Sequence, residues 1–118
     1  MITAIHILGQ IIFGGYFIYN GIKHFSSYRD YVAYTGSMKV PAPKSAVAIT
    51  GLLLLAGGLG ILFNKYVPTS ILLLVIFLVP TTIMMHDFWK RENPGERSTQ
   101  KIQFLKNMAI LGALLWMF

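Results

Sequence analysis

His24, His86, Asp87 and Lys106 are the side chains in this sequence best suited to acid–base or coordination chemistry, and Asn20 and Asn107 add amide donors and acceptors close by. Histidine titrates near neutral pH and can relay a proton. Two histidines and a carboxylate also make up the inventory of a metal site. Yet His86 and Asp87 are adjacent, and neighbours on a helix point about 100° apart, so both cannot aim at one ion. No metal is expected. The chain has no cysteine, which excludes a disulfide, a thiolate ligand and thiol redox chemistry of its own.

These groups stand at the ends of long apolar runs. The run VPTSILLLVIFLVPTTIMM, from Val67 to Met85, carries no charge and stops at His86, Asp87, Phe88, Trp89, Lys90 and Arg91. At about 1.5 Å rise per residue, roughly 20 apolar residues cross a hydrocarbon core. Pro68 sits harmlessly in the first turn, whereas Pro80 removes the hydrogen bond to Ile76 and predicts a kink over that turn. Over the whole chain, 55% of residues are hydrophobic, 12% are charged and the mean hydropathy is +0.62, too little polar surface for a water-soluble globule of 118 residues. The composition is that of an integral membrane protein. A net charge of +6 would suggest nucleic acid in a soluble chain. Here the basic residues cluster between apolar spans, where they face anionic membrane lipids instead, so no nucleic-acid partner is expected.

Four spans are predicted, over residues 2–25, 44–63, 67–89 and 99–118, within one domain covering residues 1–118. The start has no basic region before its apolar run and no small-residue cleavage pattern after it, so it is kept as a span rather than a cleaved signal. Ser27 is expected to cap a short interfacial helix ending at Gly36, and Ser98 to cap the last helix. Asn64, Lys65 and Tyr66 make a tight hairpin between the second and third spans. The fold class is therefore all-α: a membrane-spanning antiparallel four-helix bundle with a short interfacial helix in the first loop. Lys and Arg concentrate in the first and third loops, so the positive-inside rule puts both loops in the cytoplasm and both termini outside, in a bacterial inner membrane.

Along the first span, His6, Gln10, Phe13, Phe17, Asn20 and His24 follow at steps of four or three and share one face. An unpaired polar group in hydrocarbon costs roughly 2–7 kcal/mol, so this face must look into the protein or a cavity. A plainer reading makes Gln10 and Asn20 interhelical glue. In the second span Gly51 and Gly58, seven apart, offer a smooth strip for another helix or another copy of the chain, with Gly14 and Gly21 flanking the stripe on the first. At the cytoplasmic side Asn20, Lys23, His24, His86, Asp87, Lys106 and Asn107 converge. Asp87, the only acid within any span, is expected to pair with Lys106, Lys23 or His24. The candidate binding residues are thus Asn20, His24, His86, Asp87, Lys106 and Asn107 around a polar head, with Phe13, Phe17 and Gln10 along the slot beneath it. The alternative is a purely structural cluster that locks helix ends.

The stretches FIYNGIKHF, VPAPKSAVAITGLLLLAGGLGILF, HDFWK and IQFLKNMAILGALL together resemble the DoxX family of small four-helix membrane proteins. Many relatives carry a glutamate near the start of the second span, where this chain has Ile49 and Thr50. The resemblance implies the four-helix fold. On the functional side it implies membrane subunits of thiosulfate and quinone oxidoreductases, partners of thiol-detoxifying complexes and, among distant eukaryotic relatives, cargo receptors or receptor-assembly chaperones. The leading expectation is a non-catalytic protein binding a hydrophobic small molecule or a partner subunit at the cytoplasmic cluster. One alternative is the membrane subunit of a quinone-linked oxidoreductase, with quinone as cofactor and a membrane or soluble redox partner. Another is an assembly factor or chaperone for membrane proteins.

Overall fold

A computed structural model describes residues 2–118; Met1, the first residue of the expected domain and first span, lies outside the described residues. Five helices follow in order: α1 (Ile2–Ser26), α2 (Tyr28–Ser37), α3 (Pro43–Phe63), α4 (Val67–Met85) and α5 (Pro94–Met117). A single 3-10 turn, Phe88–Lys90, lies between the last two. No strand occurs among the described residues. Helix α3 occupies the middle, packed on α1 and α2 on one side and on α4 on the other, and α5 then packs on α4.

Helices α1, α3 and α4 are long and apolar enough to cross a membrane. Helix α5 is as long, but Glu96, Arg97, Lys101 and Lys106 along it lower its apolarity. The outward faces match this reading. Ile12, Leu52, Ile76 and Leu115 are all more than half exposed. Burying one such side chain is worth about 1.5–3 kcal/mol, so a belt of them belongs in lipid rather than water. The dry interior is small and shared by all four long helices: Phe17 from α1, Leu54 and Ile61 from α3, Ile71, Leu74 and Leu78 from α4, and Leu114 from α5.

Glycine lets the helices come this close. A methyl group on Gly14 would lie 2.9 Å from the Leu62 amide nitrogen and 3.0 Å from the Gly58 carbonyl oxygen, so α1 and α3 touch backbone to backbone. One turn pair further along, Gly51 faces the ring of Phe25 and the Cβ of His24. Gly57 does the same for Leu74 of α4, so α3 presents small residues to both neighbours. The expected Gly51 and Gly58 strip is thus an internal contact with α1.

The expected hairpin at Asn64–Tyr66 is present, with Asn64 and Tyr66 both left-handed (φ 53° and 50°). Other boundaries differ from expectation. Helix α2 runs through Gly36 to Ser37, and Ser27 precedes it without a side-chain cap. Helix α5 begins at Pro94 rather than near Thr99. Its cap is Asn93, whose Oδ1 accepts from the amides of Gly95 and Glu96 at 2.8 and 3.1 Å, and proline at the first position needs no donor. Helix α4 continues through Pro80 but ends at Met85, four residues short of Trp89.

The glycine contact generates a stability test. Gly14→Leu should destabilise the protein by about 1–3 kcal/mol, the usual cost of overpacking, seen as a lower unfolding temperature in detergent. Gly15→Leu, at a position with nothing within 4 Å, should leave that temperature unchanged.

Candidate functional site

The last two turns of α1, the amphipathic α2, the start of α3, the end of α4 and the middle of α5 line a half-open cavity of about 640 Å³. Asn20, His24, His86 and Lys106 line it, as expected. So do Tyr31, Tyr34 and Asp30 from α2, Thr50 from α3, Phe77, Pro80, Thr81, Met84 and Met85 from α4, and Gln103 from α5. A smaller recess of about 100 Å³ shares Asn20, His24, Phe77, Thr81, His86 and Lys106 with it and adds Tyr16, Phe17, Leu54, Leu78, Asn107 and Ile110. The two volumes are parts of one space that narrows between α1, α4 and α5.

On α1 the stripe from Gln10 to His24 turns inward, while His6 at its far end is exposed. Gln10 donates from Nε2 to the Ile61 carbonyl at 3.3 Å, which makes it interhelical glue, and Phe13 packs edge-on against Phe17 at 4.9 Å. Gln10 and Phe13 line neither part of the cavity; they precede Tyr16, the first α1 residue to line it, by about two turns and one turn. Asn20 donates to the Tyr16 carbonyl of its own helix at 2.7 Å, leaving its amide oxygen free for a guest.

His24 is held firmly. Its Nδ1 lies 3.1 Å from the Val47 carbonyl oxygen and 3.2 Å from Thr50 Oγ1. A carbonyl can only accept, so Nδ1 carries the proton, and Nε2 is the ring's remaining polar atom. No sealed, unpartnered side-chain nitrogen or oxygen exists among the described residues, so Nε2 is accessible, and the cavity is what His24 borders. The ring stands 4.8 Å from that of Tyr31 and 6.2 Å from that of Phe77. Burial pushes the Tyr31 phenol up from its ordinary value, with Tyr19 adding to the effect, so Tyr31 remains protonated and able to donate at neutral pH.

His86 takes part in a different chain of bonds. Its Nδ1 lies 2.8 Å from Gln100 Oε1, and Gln100 Nε2 donates to the Tyr34 hydroxyl at 3.2 Å. This ties the end of α4 to α5 and to α2, the helix that covers the cavity. Lys106 places its ammonium 5.9 Å from the centre of the Tyr16 ring and has no carboxylate partner among the described residues.

Asp87 does not join this group. The expected pairing with Lys106, Lys23 or His24 is not formed; Asp87 Oδ1 instead accepts from Arg91 Nε at 3.1 Å, and it lines neither part of the cavity. The reason is the early end of α4. Once the chain leaves the helix at Met85, the 3-10 turn brings Arg91 back over Asp87, and Arg91 also reaches Met38 Sδ at 3.1 Å. Among the described residues, no three His, Asp or Glu side chains gather to hold a metal.

Tyr31, Tyr34 and Thr50 are the site residues that sequence reasoning passed over. The spacing of Tyr28, Tyr31 and Val32 along one side of α2 was the available signal for the first. Thr50 carried no such signal, because its place at the site depends on how closely α3 lies against His24.

The DoxX family model matches residues 6–87 of the chain. The protein belongs to the DoxX family. The match covers α1 to α4 and stops at Asp87, so the DoxX portion supplies most of the cavity wall while Gln103, Lys106 and Asn107 come from the helix beyond it. No curated protein and no solved structure matches the chain. As a DoxX protein with three strongly apolar helices, it is a multi-pass integral membrane protein.

The bonding of His24 can be checked directly. Nitrogen-15 NMR of histidine-labelled protein in lipid should show neutral His24 with its proton on Nδ1 and an unprotonated Nε2; the opposite tautomer would contradict the Val47 hydrogen bond.

Proposed function

We propose that this protein is a non-catalytic membrane binding protein that holds a hydrophobic molecule by its polar head in the cavity beneath α2. The observation that carries the reading is the gathering of Asn20, His24, His86 and Lys106, from three separate helices, around one largely apolar space. A chain that needed only to lock its helix ends would bury or pair these groups. Here Nε2 of His24 and the ammonium of Lys106 are left without protein partners among the described residues. Such a pattern, an apolar cavity with a few convergent polar groups, is the usual form of a small-molecule site.

A second reading is favoured by one specific feature. The Tyr31 and Phe77 rings flank His24, and a flat head group between aromatic walls with a histidine at its edge suits a quinone. In that case the protein is the membrane subunit of a quinone-linked oxidoreductase. Lacking cysteine, it takes electrons from a separate redox partner.

In the same reading residues 1–118 form one domain, α5 is the fourth crossing of an antiparallel bundle, and the membrane is the bacterial inner membrane. The basic residues support an orientation with the first and third loops in the cytoplasm and both termini outside. Alkaline phosphatase fused after Phe118 should then be active, and the same enzyme fused at Gly95 should be inactive.

The binding reading is tested by native mass spectrometry of protein released from its own membranes. A small hydrophobic adduct is expected on the unaltered chain and should be lost in Ala46→Trp, which fills the cavity wall, with helicity by circular dichroism unchanged. The adduct's mass separates a quinone from other amphiphiles, and protein without any adduct in either form would count against both readings.

A further inference from the structure

Lys106 lines both the recess and the larger volume, and the two differ in charge only in that the larger one is also lined by Asp30. Lys106 is the one fully charged side chain lining the recess, and no acid lines it. Asp30, the only acid lining the larger volume, sits on α2 at the covering side. Asn107, next to Lys106 in sequence, is only 7% exposed. Its amide forms no hydrogen bond with another described residue, yet it is not sealed in, so its polar atoms open into the recess.

Resting on the binding reading above, we propose that the molecule is a long-chain carboxylic acid, bound with its carboxyl group in the recess and its chain in the larger cavity. The carboxylate accepts from the amide of buried Asn107 and from the ammonium of its exposed neighbour Lys106, which points away along the helix and reaches the recess only through its long flexible stem. His24 Nε2 accepts from the O–H of the protonated acid, so the site satisfies the head in either protonation state. The size argues the same way. A recess of about 100 Å³ takes a terminal carboxyl group, whereas a phosphodiester, substituted on both sides of phosphorus, cannot end in it. A single ammonium also leaves the second charge of a phosphomonoester without a partner. Asp30 at the covering side disfavours the reverse orientation.

Displacement of the fluorescent fatty acid cis-parinaric acid from the detergent-solubilised full chain tests this, with oleate and methyl oleate as competitors. Oleate should displace the probe at about tenfold lower concentration than its methyl ester, the worth of one charge-assisted contact (about 1.4 kcal/mol). Lys106→Gln should abolish that difference, and Lys106→Arg should retain most of it. Asn107→Leu should weaken oleate more than methyl oleate. Equal displacement by acid and ester in the unaltered protein, or an oleate preference that survives Lys106→Gln, overturns the carboxylate assignment while leaving a hydrophobic ligand in place. Displacement by neither overturns the assignment together with the reading beneath it.

Discussion

Gly14 and Gly58 face one another where α1 crosses α3, close enough that neither position has room for a methyl group. In lipid the expulsion of water does not drive helices together, so association rests on close packing of this kind and on hydrogen bonds between helices. The approach has consequences at both ends of the crossing. Towards one end it brings Gln10 Nε2 within 3.3 Å of the Ile61 carbonyl. Towards the other it seats His24 against Gly51 and puts Nδ1 within reach of the Val47 carbonyl. A side chain of any size at the crossing would push α1 outward and break both bonds. The orientation of the histidine ring therefore depends on glycines that never touch the cavity.

The open space arises because the tight packing is not continued around the molecule. Helix α3 is gripped on two sides by α1 and α4, and α5 packs chiefly on α4 and the 3-10 turn. Near Leu114 and Phe17 the four long helices share a dry core. Towards the other end the recess lies between residues of α1 and α5, Pro80 interrupts the hydrogen-bond ladder of α4, and that helix stops at Met85. Polar side chains can be tolerated there at low cost only because a cavity, rather than lipid, receives them. Lys106 rests over the Tyr16 ring across this recess: no acid lines it, and an aromatic face is the available counterpart for the charge.

Much of this was legible from residue type and spacing. The period of the apolar runs identified the long helices, and the inward stripe from Gln10 to His24 followed from steps of three and four. His24, His86 and Lys106 stand at the ends of or within separate apolar runs, and the fold brings all three to one cavity. What the sequence left undetermined depended on short-range turn geometry. A cap at Ser98 is expected because Pro94 and Gly95 carry a turn signal, and only the folded chain shows the Asn93 oxygen reaching two amides and starting the helix at Pro94. Likewise, Asp87 was assigned a partner from another helix on the premise that α4 continues to Trp89. Once the helix ends at Met85, a local partner at Arg91 is nearer than any cation on a neighbouring helix.

The covering helix is bound to the rest of the fold by contacts of unequal strength. On one flank the Tyr28 hydroxyl donates to the Lys44 carbonyl at 2.7 Å, fixing α2 to the start of α3. On the other flank α2 meets α5 through the Tyr34 hydroxyl, which accepts from Gln100 while Gln100 holds His86. Between them no residue of α2 is fully buried, so little apolar packing holds it down. Local opening follows the segments with few buried contacts and exposed hydrogen bonds. Helix α2 fits that description, and its Tyr34 bond ends on the same glutamine that orients His86. A displacement of α2 that breaks the Tyr34 bond thus frees one side of Gln100 and loosens His86 in the same step, coupling access to the cavity with the geometry of a residue on its wall.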